Sequence, residues 1–204
     1  MAPRVLIGTL YCGEGDFDAC CASVRTQLHP CEQFVVSYLP EPQANYELYR
    51  PLCEGRADYL IRLDADMVLS SPEAVGTMVA RIHGTPFEMV SHHVDDFFTG
   101  SPMMGVHIYA RTCEFDLEAI RAGSLFPDRC NSTLRTPVQR RHLVWKCYDE
   151  CLVRHCHHAT PMQAFHFGYH RWLKRQERVC RLVLEHWERR PDDEQRIAPL
   201  RPAG

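Results

Sequence analysis

Asp64 and Asp66 stand one residue apart, directly after the apolar run Tyr59-Leu60-Ile61-Arg62-Leu63. Two carboxylates this close repel each other unless positive charge compensates them. The hard oxygen donors they offer suit Mg2+ or Mn2+, ions that in turn take phosphate oxygens. The competing use of Asp here is local, since a turn after a strand often carries Asp to hydrogen-bond its own backbone. A second group gathers at Cys147, Cys151, His155, Cys156, His157 and His158. It has ligands enough for a structural zinc ion, but no C-x-x-C pair, and its i, i+4 spacing equally suits a helix packing thiols into a core. His166 lies in the apolar run Met162–Phe167, where a lone histidine reads as a core or capping residue. His170, Arg171 and Lys174 open a late helix, where cations and free N–H groups can hold a diphosphate or simply form a solvated face.

These residues need elements to hold them. Val5 to Leu10 reads as a strand, broken by Gly13 and Gly15, and Phe17, Cys20, Cys21, Val24 and Leu28 recur at helical spacing behind Asp16. Phe34 to Leu39 is a second strand, Asn45 to Cys53 a short helix, and Tyr59 to Leu63 a third strand. Strands alternating with helices in this way predict βαβ units: an α/β fold with one doubly wound, mostly parallel sheet. Asp64 and Asp66 then sit at the carboxyl end of a parallel strand, where open α/β sheets bind ligands. Ser71, Pro72 and Glu73 start a helix that stops at Gly84. Phe87 to Val90 and Val106 to Tyr109 read as strands forming an antiparallel extension, joined by a candidate substrate loop from Ser91 to Gly105. Cys113 to Ala122 reads as a helix, Thr136 to Cys156 as helical in its middle, and Arg171 to Arg189 as a last amphipathic helix. Residues 1–190 form one domain in this reading, and 191–204 a polar, loose tail.

The string Leu60-Ile61-Arg62-Leu63-Asp64-Ala65-Asp66-Met67 resembles the D-x-D segment of the GT-A glycosyltransferases, in particular their family-2-like group. The start is similar as well: Val5 to Leu10 with Glu14, then Cys20-Cys21-Ala22-Ser23-Val24-Arg25-Thr26-Gln27, resembles the group's nucleotide-binding strand and following helix. Ala164-Phe165-His166-Phe167-Gly168 resembles its late histidine element. The resemblance covers about residues 4 to 75 and returns near 160 to 174. It implies a metal-dependent glycosyltransferase that moves a sugar from a UDP- or GDP-linked donor to an acceptor hydroxyl. Asp64 would face the ribose and the metal, Asp66 and His166 would bind the ion, and Thr9, Glu14, Arg171 and Lys174 would contact the nucleotide sugar. A neutral imidazole favours Mn2+ over Mg2+.

The group often reads the base with an acidic residue after the second strand, where this chain has Ser37-Tyr38-Leu39-Pro40. An inverting enzyme also needs a carboxylate within hydrogen-bond reach of the acceptor hydroxyl. Asp149 is the first candidate, with Asp95, Asp96 and Glu150 as rivals, and a retaining mechanism stays open. Two alternatives stand beside this reading. One is a sugar-phosphate nucleotidyltransferase, disfavoured because Gly13-Glu14-Gly15-Asp16 is acidic rather than basic. The other is a non-catalytic module, either stabilised by zinc or binding nucleotide without turnover.

Composition sets the bounds. With 23 Lys plus Arg against 26 Asp plus Glu in 204 residues, the net charge of -3 gives no electrostatic reason to bind nucleic acid. No apolar run approaches the ~20 residues of a membrane span, and Met1 to Gly8 has no signal-peptide pattern, which predicts a cytoplasmic protein. Eleven cysteines at irregular spacing read mostly as small buried hydrophobes of a reducing compartment. The acceptor would come from a partner protein or a membrane surface, because the chain leaves little room for a domain of its own to hold it.

Overall fold

The computed structural model describes residues 2–123, 143–155, 169 and 177–188. Seven strands form one sheet in the order β2-β1-β3-β6-β5-β7-β4. They are β1 (Val5–Tyr11), β2 (Glu32–Ser37), β3 (Tyr59–Arg62), β4 (Met67–Leu69), β5 (Met89–Asp96), β6 (Ser101–Ala110) and β7 (Trp145–His155). The helices among the described residues are α1 (Phe17–Arg25), α2 (Glu41–Cys53), α3 (Ala74–Ile82), α4 (Leu117–Arg121) and α5 (Glu177–Glu188). β1 pairs in parallel with β2 and β3, and β5 with β7; β6 and β4 run against their neighbours. Five strands therefore point one way, so the sheet is mostly parallel with antiparallel insertions.

Strand alternation divides the core in two. Val5, Ile7, Ile61, Val90, Val94 and Ile108 face α1 and α3, whereas Leu6, Leu60, Met89 and Tyr109 face α2 and α4. A fully buried Leu or Ile side chain in these layers contributes about 1.5–3 kcal/mol. Gly8 marks a close approach on the α2 side, where an added Cβ would press into Leu48 Cδ1 and Phe34 Cζ. Leu48 is wholly buried and cannot swing out. Gly8→Ala is therefore expected to cost about 1–3 kcal/mol by overpacking, read as a lower urea midpoint at unchanged slope.

The structure corrects several sequence expectations. The described part of the segment taken as helical, Thr136 to Cys156, contains β7, an extended strand. Its i, i+4 thiols, Cys147 and Cys151, thus lie up to about 13 Å apart along the strand instead of on one helical turn. Cys156, His157 and His158 lie outside the described residues. The stretch read as a substrate loop, Ser91 to Gly105, is mostly β5 and β6, joined by a tight turn through Phe97 to Gly100. Its polar residues had hidden the strands. The short β4, directly after the acidic pair, was missed. Of the cysteines, Cys20 and Cys113 are buried while Cys12, Cys53 and Cys151 are exposed. Burial pushes the Cys20 thiol up to about 12, so it stays protonated and acts as a small core residue.

Between α3 and the sheet lies a buried polar group. His92 is wholly inaccessible, stacks on Tyr148 with centroids 5.6 Å apart, and has Nδ1 3.4 Å from a Glu150 carboxylate oxygen. Arg81 of α3 pairs with Glu150 and lies over the Tyr148 ring.

Candidate active site

The acidic pair stands where β1 and β3 part company. After β1 the chain passes to β2 on one side and returns to β3 on the other, so the crevice at their carboxyl ends is a topological switch point. Ala65 N–H donates to Leu10 C=O (3.2 Å) and Met67 N–H to Asp64 C=O (2.9 Å), closing a turn across the pair. Ala65 points into the core at 1% exposure, which leaves the flanking Asp64 and Asp66 facing outward. Helix α1 pins this turn. Ser23 Oγ accepts from Leu69 N–H, while Gln27 donates to Ser71 C=O and accepts from Val75 N–H at the start of α3.

The two carboxylates have different partners. Asp64 Oδ1 is 3.0 Å from Arg62 Nε. Burial opposes the charge on Arg62, but Asp64 and then Tyr49 overcome it and raise the guanidinium pKa. Asp66 Oδ2 lies 3.3 Å from Nε2 of His155, the last residue of β7. Sheet register brings them together: His155 pairs with Met67 of β4 on one side and with Asp96 of β5 on the other. The other ring nitrogen, Nδ1, is 2.6 Å from Asp96 Oδ1. Asp96 is buried, and its Oδ2 accepts from both the N–H and the Oγ1–H of Thr99 at 2.8 Å. Burial alone would raise the Asp96 pKa; the bonds from His155 and Thr99 outweigh it and hold the carboxyl below its ordinary value.

This donor set fits a divalent ion. A carboxylate oxygen and an imidazole nitrogen 3.3 Å apart match adjacent corners of an octahedron, which are about 3 Å apart for bonds near 2.1 Å. The mixed oxygen and nitrogen chemistry suits Mn2+. Among the described residues, no group of three His, Cys, Asp or Glu surrounds a common point. His166, Arg171 and Lys174 lie outside the described residues.

The other expected residues are placed as follows. Thr9 is fully buried and its hydroxyl accepts from Gln33, so the surface over β1 is offered by Tyr11, Cys12 and Glu14. Glu14 accepts the Cys12 N–H at 2.7 Å, closing that loop. Asp95 is exposed at the carboxyl end of β5, while Asp149 and Glu150 lie level with His92 and His93, about 10–13 Å back along the sheet. Asp149 is almost entirely exposed near His93, and Glu150 is committed to Arg81 and His92. His155 had been counted with the zinc group. Spacing along the chain does not reveal its position, because only the pairing of β7 with β4 and β5 sets it beside Asp66.

At the end of β2, Tyr38 adopts a left-handed backbone (φ 53°), uncommon for a bulky residue, and its side chain is 69% exposed. Its ring meets Tyr11 edge-on at 5.4 Å, and Tyr11 stacks on Phe17 at 4.1 Å. The segment Ser37-Tyr38-Leu39-Pro40, which departs from the acidic residue often found there in the group this chain resembles, thus presents an aromatic surface.

Sheet order, switch point and site position together define the GT-A, or nucleotide-diphospho-sugar transferase, fold. A mannosyltransferase from Pyrobaculum calidifontis, solved with GDP-Man and Mn2+, superposes at a TM-score of 0.54 with 11% identity over 82% of this chain. The present chain spans 61% of that enzyme's length. Glucosyl-3-phosphoglycerate synthase from Mycobacterium tuberculosis, solved with Mn2+, UDP and phosphoglyceric acid, gives 0.47 at 10% identity, covering 75% of this chain and 70% of its own. A CMP:2-keto-3-deoxy-manno-octonic acid synthetase with CTP gives 0.46 at 9% identity, covering 74% and 91%. No model of a known protein family matches the chain, and no curated protein matches it in sequence. Among the described residues, no helix is long and apolar enough to cross a membrane.

Proposed function

We propose that the chain is a metal-dependent glycosyltransferase that takes a nucleotide-diphosphate sugar at the carboxyl end of its parallel strands and passes the sugar to an acceptor hydroxyl. The observation that carries this reading is the meeting of Asp66 and His155, 3.3 Å apart, at the switch point of the sheet. These two residues would hold the divalent ion. Once bound, the ion supplies positive charge to the diphosphate as it leaves. Asp64, fixed by Arg62, would accept from the ribose hydroxyls, and Arg62 would keep the second carboxylate from being drawn to the same ion. Glu14 shapes the loop over β1, and Tyr38 offers its face to the base. Of the four carboxylates considered for the acceptor, Asp95 is the exposed one level with the site.

Calorimetry of UDP and GDP with Mn2+, repeated with chelator, tests the reading; affinity independent of metal would defeat it. Pyrophosphate release from CTP and a sugar acid, with no transfer from nucleotide sugars, would move the assignment to nucleotidyl transfer. A further expected result concerns Tyr38. Base–aromatic stacking contributes about 1–3 kcal/mol, so Tyr38→Gly should weaken nucleoside diphosphate binding by roughly 5- to 150-fold. Glycine accepts the left-handed backbone freely, so thermal stability should hold or rise. Unchanged affinity would remove Tyr38 from the site.

A further inference from the structure

His155 can offer a lone pair at Nε2 only if its proton is on Nδ1, and a free imidazole has no strong reason to choose that tautomer. Here the choice is made from behind the ring. Asp96 is 2% exposed, its Oδ1 is 2.6 Å from Nδ1, and its Oδ2 is saturated by two donors from Thr99. An ionised carboxylate accepts and cannot donate, so the only proton that satisfies the Asp96–His155 contact is the one on Nδ1. The backbone fixes the same geometry: Asp96 and His155 are register partners, and Phe97 N–H donates to the His155 carbonyl at 3.2 Å. The turn that follows is also held, because Gly100 (φ 58°) leaves the space that the His186 ring of α5 occupies. A buried carboxylate whose two oxygens face one ring nitrogen and one threonine is costly as a mere surface turn device.

We propose that Asp96 is a positioning residue for the metal site: by accepting the Nδ1 proton of His155 it presents Nε2, unprotonated and correctly oriented, to a divalent ion shared with Asp66. This rests on the metal-dependent reading above, and makes Asp96 part of the ion's binding strength although it never touches the ion. It also removes Asp96 from the residues able to deprotonate an acceptor, since neither of its oxygens is open to one.

The test uses Mn2+ alone as probe, followed by paramagnetic resonance or calorimetry, on the wild-type chain, Asp96→Asn and Thr99→Val. Asn can still fill the space, but its amide turns a donor toward either His155 or Thr99. Asp96→Asn should weaken Mn2+ binding by about 10–100-fold. Thr99→Val removes one donor to Asp96 while leaving the histidine contact, and should weaken it less than about threefold with a similar drop in unfolding temperature. In 15N spectra of metal-free protein above the imidazole's titration, His155 should carry its proton on Nδ1 in the wild type and lose that preference in Asp96→Asn. Equal Mn2+ affinity in wild type and Asp96→Asn, affinity that merely follows unfolding temperature in both variants, or a wild-type proton on Nε2 would each overturn the positioning role while leaving metal binding intact. A wild type that binds no Mn2+ would overturn both the role and the reading beneath it.

Discussion

Asp66→Ala is expected to abolish the Mn2+-dependent part of nucleotide diphosphate binding, a loss on the order of 10²–10³-fold, or several kcal/mol. Among the described residues, the carboxylates that meet His155 are Asp66 and Asp96, and Asp96 is buried with its oxygens facing His155 and Thr99. Asp64 is a poor substitute, because its Oδ1 is bonded to Arg62. The side chain is not part of the core, so the metal-free unfolding temperature should change little. The wild type should gain thermal stability on adding Mn2+ and UDP or GDP, and the variant should gain none. A variant that still binds nucleotide in a metal-dependent way at wild-type affinity would refute the site.

The second large effect is on stability. Burial pushes the His92 pKa down to about 4; Glu150 draws it upward, while Arg81 and His93 oppose protonation. In the unfolded chain the same imidazole titrates near 6.5, so as pH falls the unfolded state takes up the proton first. His92 therefore leaves stability untouched above about 6.5, erodes it between about 6.5 and 4, and adds no further loss below that. The gap corresponds to about 3 kcal/mol. Asp96 acts in the same sense at lower pH: its depressed pKa supports the fold above the ordinary carboxylate range, and that support is lost as pH falls through and below that range, so the two windows separate. Urea unfolding of wild type and His92→Phe at pH 7, 5.5 and 4.5 checks this. Phe keeps the ring stack on Tyr148 without the titration, so its stability should vary much less across the window. Parallel curves for the two proteins would show that His92 is not the group responsible.

Much of this architecture was legible in the chain. Strand β1, helix α1, strands β2 and β3 and the helix after the acidic pair follow from short-range patterns of apolar spacing, capping residues and glycine stops, and such patterns are local. The same local reading put Asp64 and Asp66 at the carboxyl end of a parallel strand, and β1–β3 pairing places them there. It also identified the GT-A resemblance that the fold bears out. What failed was equally physical. β7 carries thiols and charges at helical spacing, and its strand state comes from pairing with β5 and β4, partners some sixty and eighty-five positions earlier. The polar side chains within Ser91 to Gly105 have loop-like character, and it is the backbone pairing of β5 with β6 that makes most of the segment strand.

By itself the sequence determined the two carboxylates, their spacing and the strand that ends in them, because a one-residue separation after a buried run needs no tertiary information. Only the folded sheet decided which histidine meets Asp66 and which carboxylate stands behind it. Asp66, Asp96 and His155 come from three segments, and register between β4, β5 and β7 alone brings them within hydrogen-bonding range. Tertiary structure likewise separated four similar carboxylates into one exposed at the end of β5, one buried behind His155 and two set back along the sheet. Sequence gives all four the same chemistry; burial and neighbours give them different ones.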